Sequence, residues 1–170
     1  MPVNREYIRQ IQERAKKAIN KTATYGEDID LNQFQKFIER GRVESLELLP
    51  ELAKEAALMA GVDVAEKERS GSYVQMDHSV IYKRLSSLYE GRVELMSTSE
   101  AVQTYDWLED YFWKLVQPDT DKYTAQVALN PTHGYFIRIL PGQKLDYPLQ
   151  TCLMIAEGYI SQNVHNIVIV

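Results

Sequence analysis

Charge is spread so unevenly along this chain that it divides the sequence in two. The 170 residues include 19 basic and 24 acidic side chains, yet from Tyr123 to Val170 the only charges are Arg138, Lys144, Asp146 and Glu157. A surface helix needs a polar stripe along its wet face. A stretch this poor in charge is therefore predicted to form strands with little exposure, and the charge-rich first part to form helices.

Alternation supports strands in the second part. Tyr123, Ala125, Val127 and Leu129 interleave with Thr124, Gln126 and Ala128, which predicts a strand there. Asn130-Pro-Thr-His-Gly reads as a turn, Tyr135–Leu140 as a strand stopped by Pro141-Gly142, and Gln150–Ala156 and His165–Val170 as two more. Short strands without helical interruption point to a sandwich, a barrel or a β-solenoid. The run Asn166-Ile-Val-Ile-Val170 is apolar and β-branched with nothing polar after it. An uncapped strand of that kind invites aggregation, so it is expected to be internal to a longer natural chain.

In the first part, Ile8, Ile11, Ala15 and Ala18 recur at helical steps and predict a helix over 4–20. Asp30 is placed to cap a helix over Leu31–Arg40, with Gly41 as its stop. Leu46, Leu49, Ala53, Ala56/Ala57 and Ala60 mark another, starting near Leu49 with Pro50 in its first turn. Ser97 and Glu100 have capping-box spacing, predicting a helix to about Val116 with a break near Tyr105. Its aromatics Tyr105, Trp107, Tyr111, Phe112 and Trp113 would cover most of its circumference. Between these helices, Ser70–His78 reads as a loop, followed by strands over Ser79–Arg84 and Val93–Met96.

The net charge is −5 with a pI near 5.3, which argues against a general affinity for nucleic acid or anionic membrane. The basic cluster of residues 1–22 reads as a solvated helix face. A single cysteine, Cys152, makes no internal disulfide and suits a reducing cytoplasm. No window approaches the ~20 apolar residues of a membrane span, and the start lacks an apolar signal core.

Candidate chemistry is sparse. Cys152 offers the one thiolate, the usual ligand type of iron–sulfur clusters, and His165 a neutral imidazole. These two are the candidate cofactor-binding residues, and stacked coils about 4.8 Å apart would let them approach. Each also reads as a packed strand residue. His78 follows Asp77 in what reads as a loop contact, and His133 lies in a turn. No nucleophile elbow or phosphate-cradling loop is present, so no catalytic residue is assigned.

Six stretches carry a family resemblance. They are Arg69-Ser-Gly-Ser-Tyr-Val-Gln-Met-Asp-His-Ser-Val, Tyr105-Asp-Trp-Leu-Glu-Asp-Tyr-Phe-Trp-Lys, Asp121-Lys-Tyr-Thr-Ala, Gly134-Tyr-Phe-Ile-Arg-Ile-Leu-Pro-Gly, Pro148-Leu-Gln-Thr-Cys-Leu and Gln162-Asn-Val-His-Asn-Ile-Val-Ile-Val. In this order they resemble the SufB/SufD family of iron–sulfur cluster assembly scaffolds, especially its shorter archaeal members. The resemblance implies an α+β chain: a helical N-terminal domain (1–122, with a short extended segment near 73–96) leading into the first coils of a right-handed parallel β-helix (123–170). It implies a scaffold rather than an enzyme, partnered by a SufC-type ATPase and a second SufB/SufD-type subunit. It also implies that this chain holds no cofactor firmly by itself, the iron–sulfur cluster belonging to the full-length assembly. Two alternatives stand beside it: a cupin-like metalloenzyme using His133, His165 and Glu157, and an interaction module that adds its terminal strand to a partner.

Overall fold

The computed structural model describes residues 1–170. Along it run α1 (Arg5–Ala18), α2 (Glu51–Met59), β1 (Gly71–Met76), β2 (Ser79–Leu85), β3 (Val93–Ser97), α3 (Thr98–Thr104), α4 (Lys122–Leu129), β4 (Tyr135–Ile139), β5 (Leu149–Met154) and β6 (Ile167–Ile169), joined by short 3-10 turns. The chain is thus α+β, as expected, with two mixed three-stranded sheets and no closed barrel. One sheet has the order β2-β1-β5 and the other β3-β4-β6. In each, an antiparallel pair (β1/β2, β3/β4) is extended by a parallel strand (β5, β6). After β4 the chain crosses to the first sheet as β5, then returns to lie parallel beside β4 as β6.

α1 forms where its periodicity placed it. Asn4 accepts the Glu6 N–H at its start, and Lys16 and Lys17 sit in its last turn, where the helix dipole favours cations. Its buried Ile11, Ala15 and Ala18 share a core with Ala125 and Ala128 of α4 and with Trp113. Alanine against alanine lets the two helices approach closely.

Helix α4 overturns the strand predicted over Tyr123–Leu129. Asp121 accepts the Tyr123 and Thr124 N–H groups, and the Thr124 hydroxyl accepts from the Asp121 N–H. This reciprocal cap satisfies the donors that a helix start leaves open. The three-residue spacing of Ala125 and Ala128 then outweighs the apparent alternation.

Three further expectations change. The helix over Leu31–Arg40 shrinks to one 3-10 turn, Leu31–Gln33, still capped by Asp30. Beyond it, the amides of Lys36, Ile38 and Arg40 bond to Tyr159 O, His78 Nδ1 and Ser79 Oγ, so tertiary acceptors replace helical ones. The loop expected over Ser70–His78 contains β1, the middle strand of its sheet and buried along its whole length. The helix begun by the Ser97–Glu100 capping box ends at Thr104, breaks at Tyr105 as expected, and passes into a 3-10 turn, Asp106–Asp110, instead of reaching Val116. Trp113 adopts φ 59°, which no helix accommodates. Freed from a helix, the aromatics cover separate neighbours: Tyr105 and Trp107 lie against Phe136, while Phe112 and Trp113 lie against His165.

Gly134 opens β4 at φ +86°, and a Cβ there would stand 2.7 Å from the His165 carbonyl oxygen and 3.0 Å from its nitrogen. Gly91 is also left-handed (φ +72°), with open space around it. Gly134→Ala is expected to cost on the order of 3 kcal/mol, strain plus collision with immobile backbone. Gly91→Ala should cost about 1 kcal/mol, strain alone. Urea unfolding of both variants checks this, and equal losses would contradict it.

Candidate functional site

Tyr73 and Gln75 are two apart on β1 and therefore share a face. That face meets the turn before β4. The Tyr73 hydroxyl donates to Gly134 O (2.8 Å), while Gln75 Nε2 donates to Thr132 O (2.5 Å) and Gln75 Oε1 accepts the Gly134 N–H (3.0 Å). Both side chains are fully buried. Burial also pushes the Tyr73 hydroxyl pKa up, so it remains a donor.

Asp77 ends this strand in the left-handed region, φ 52°, with no exposed surface. Its carboxylate accepts from Arg40 Nε (2.7 Å) and the Ala156 N–H (2.8 Å), and its carbonyl accepts from Gln162 Nε2 (2.8 Å). Asp77 thus ties the β1/β2 turn to the segment after β5. The expected Asp77–His78 contact is replaced by this one. His78 instead accepts the Ile38 N–H and lies 4.4 Å from the Phe37 ring.

The approach to β6 closes the arrangement. His165 O accepts from the Thr98 hydroxyl (2.6 Å), Asn166 Oδ1 accepts the Tyr135 N–H (3.0 Å), and Asn163 O accepts the Thr132 N–H (2.7 Å). Three stretches distant in sequence, 72–78, 132–135 and 162–166, therefore meet in one polar seam between the two sheets. The sequence singles out His165 here and pairs Asp77 with His78, but assigns nothing to Gln75 or Gln162. Gln75 and Asp77 carry a signal of their own: two polar side chains, two residues apart, in a segment the fold buries.

The sequence candidates occupy different places. Cys152 pairs in register with Val74 and packs half-buried against the core of Leu46, Leu49 and Ile81. Burial raises its thiol pKa, which disfavours the thiolate. His165 lies elsewhere, stacked on Phe112 (4.9 Å, 18°) and edge-on to Trp113 (4.4 Å). Burial lowers it to about 4, so it is neutral, and its Nδ1 is buried without a partner. His133 is lowered by burial too, against the opposing charge of Glu100, and also has an unpartnered Nδ1. His133 and His165 share the lining of a cavity of about 220 Å³ beside α1 and α3. Glu157 does not join them. It is exposed and held by Lys36 and Arg40, which lower its pKa. No three His, Cys, Asp or Glu side chains are grouped to hold a metal ion.

His165 also borders a larger cleft, about 680 Å³, between the 110–116 segment, α4 and β6. Leu115, Val116, Val127, Val164 and Ile169 make its walls largely apolar. No helix is long and apolar enough to cross a membrane.

No family model matches the chain. Among curated proteins, it is 40% identical over 168 residues to an iron–sulfur cluster assembly SufBD family protein of Methanothermobacter thermautotrophicus strain Winter. It is 41% identical over 168 residues to the SufBD family protein of strain Delta H. Each match takes in 95% of this chain and 40% of the relative. A SufBD family protein of Archaeoglobus fulgidus is 42% identical over 116 residues, 68% of this chain and 30% of that protein. The chain thus spans about 40% of the length of the first two relatives.

The buried imidazole gives the fold a pH signature. With a folded pKa of about 4 against 6.5 for a free histidine, the folded state resists protonation of His165. That stability is complete above pH 6.5 and is lost as pH falls towards 4, by roughly 3 kcal/mol at most. Urea midpoints measured from pH 7.5 to 4.5 should fall in the natural chain and fall less in His165→Gln. Parallel slopes would contradict the assignment.

Proposed function

This chain belongs to the SufBD family of iron–sulfur cluster assembly proteins, and from that we propose that it forms the helical entry and first coil of a right-handed parallel β-helix scaffold. In this reading the longer protein assembles clusters together with a SufC-type ATPase and a second SufB/SufD-type subunit. Clusters are its cargo, and its own role is to bind and position rather than to catalyse.

The observation that carries the architecture is the parallel pairing of β6 with β4, with β5 placed in the opposite sheet between them. That path supports the reading of one turn of a solenoid, in which each coil buries its face against the next. β5 lies parallel to β1 in the same way. β6 is an edge strand of its sheet, Val168 and Val170 are exposed, and the apolar cleft of about 680 Å³ adjoins them. A further coil laid on β6 would cover these side chains and bond the free strand edge.

Cluster chemistry falls to the rest of the scaffold. A cluster takes about four ligands, most often thiolates. This stretch supplies one half-buried cysteine in the first sheet's core and one histidine stacked among aromatics elsewhere. Cys152 and His165 accordingly act here as packing residues. The sequence carries no phosphate-cradling loop, so nucleotide hydrolysis is assigned to the separate ATPase.

Anaerobic reconstitution with iron and sulfide tests the reading, using the 170-residue chain and the same chain continued to its relatives' length. The longer protein is expected to gain visible sulfide-to-iron absorption and to co-purify with a SufC-type ATPase. Its Cys152→Ala variant should keep the same cluster yield. Stoichiometric cluster on the 170-residue chain, lost in Cys152→Ala, would overturn it.

A further inference from the structure

Helix α2 is apolar on two sides, but the fold covers only one. Leu49, Ala53 and Ala57 face the core shared with Val74 and Ile81. Leu52, Ala56 and Met59 recur at steps of four and three and so line a second stripe, with Leu48 just ahead of it. Leu52 is 82% exposed, Met59 90% and Leu48 62%. Singly exposed apolar residues are ordinary, but a continuous stripe of them on a helix marks an interaction surface. A helix apolar on both sides is ordinarily a buried one.

The rim decides what covers it. Glu51 and Glu55 flank the stripe on one side, with Glu47 exposed in the turn before the helix. Lys54, half-buried, is the one cation on α2. Two copies joined through this face would bring the glutamates of both together, which like-charge repulsion opposes. A surface carrying lysine or arginine around an aliphatic centre satisfies both features. We propose that the outer face of α2 docks a second, different polypeptide, through an amphipathic helix with aliphatic anchors and a basic border. Leu52 and Met59 are the central anchors, and Glu51 and Glu55 select the border's charge. This goes beyond the scaffold role and stands or falls separately from it.

Fluorescence anisotropy tests it with two synthetic helical peptides, each with leucine along one face and either lysine or glutamate along the other. The 170-residue chain and the chain continued to its relatives' length are both titrated. Both should bind the leucine–lysine peptide and not the leucine–glutamate one. Leu52→Asp with Met59→Asp should weaken binding by about tenfold or more. Both positions are exposed, so circular dichroism and the urea midpoint should stay unchanged. Glu51→Lys with Glu55→Lys should reverse the preference between peptides.

Three results would overturn the proposal. One is absence of binding, or binding indifferent to Leu52 and Met59. Another is binding by the 170-residue chain that the longer protein lacks, which would assign the face to the chain's own continuation. The last is self-association in sedimentation that Leu52→Asp with Met59→Asp abolishes, which would assign it to a second copy.

Discussion

The structure depends on one buried amide. Gln75 reaches from the middle of the first sheet to the turn that begins the second, where it donates to Thr132 O and accepts from Gly134. Its second donor hydrogen faces the Asp77 carbonyl at 3.4 Å, while the Tyr73 hydroxyl, whose one hydrogen goes to Gly134 O, lies 3.4 Å from its oxygen. A primary amide has two donor hydrogens and two acceptor lone pairs, and Gln75 engages three of the four. An unmade bond at such a depth costs about 1–3 kcal/mol, and that penalty holds the two sheets to one register. The same contact explains Gly134, because the close approach of His165 leaves no room for a side chain.

Around that tie, the helices set the second sheet's environment. The alanine faces of α1 and α4 bring the aromatic segment after α3 against His165 and Phe136. Val3, Leu108, Phe136 and Ile167 then form a core under β4 and β6, separate from the one under β1 and β2. With the core between α1 and α4, the chain therefore has three small apolar clusters rather than a single centre.

What could be read from the sequence follows the range of the forces involved. α1, α2 (within two residues of its expected start near Leu49), the Ser97–Glu100 cap and the strands β2, β3, β4 and β5 are local in origin, and their residues announced them. Strand β1 was hidden because Ser72, Gln75 and Asp77 look like loop residues until their distant partners are known. The extended path after Gln33 has the same cause, since its amides are claimed by Tyr159, His78 and Ser79. α4 was misread because Tyr123, Ala125, Val127 and Leu129 alternate like a strand, while Asp121 and Thr124 carried the stronger helix signal. At the candidate site, Cys152 and His165 were visible as chemistry. The seam that positions His165 was not, because hydrogen bonds between residues tens of positions apart leave no local pattern.

In the proposed scaffold, β6 is the landing edge for a further coil. Amide hydrogen exchange of residues 166–170 tests it most directly, comparing the 170-residue chain with the same chain continued to its relatives' length. Fast exchange is expected there in the 170-residue chain, strong protection in the longer one, and unchanged protection in β4. Equal exchange at 166–170 in the two proteins would contradict it.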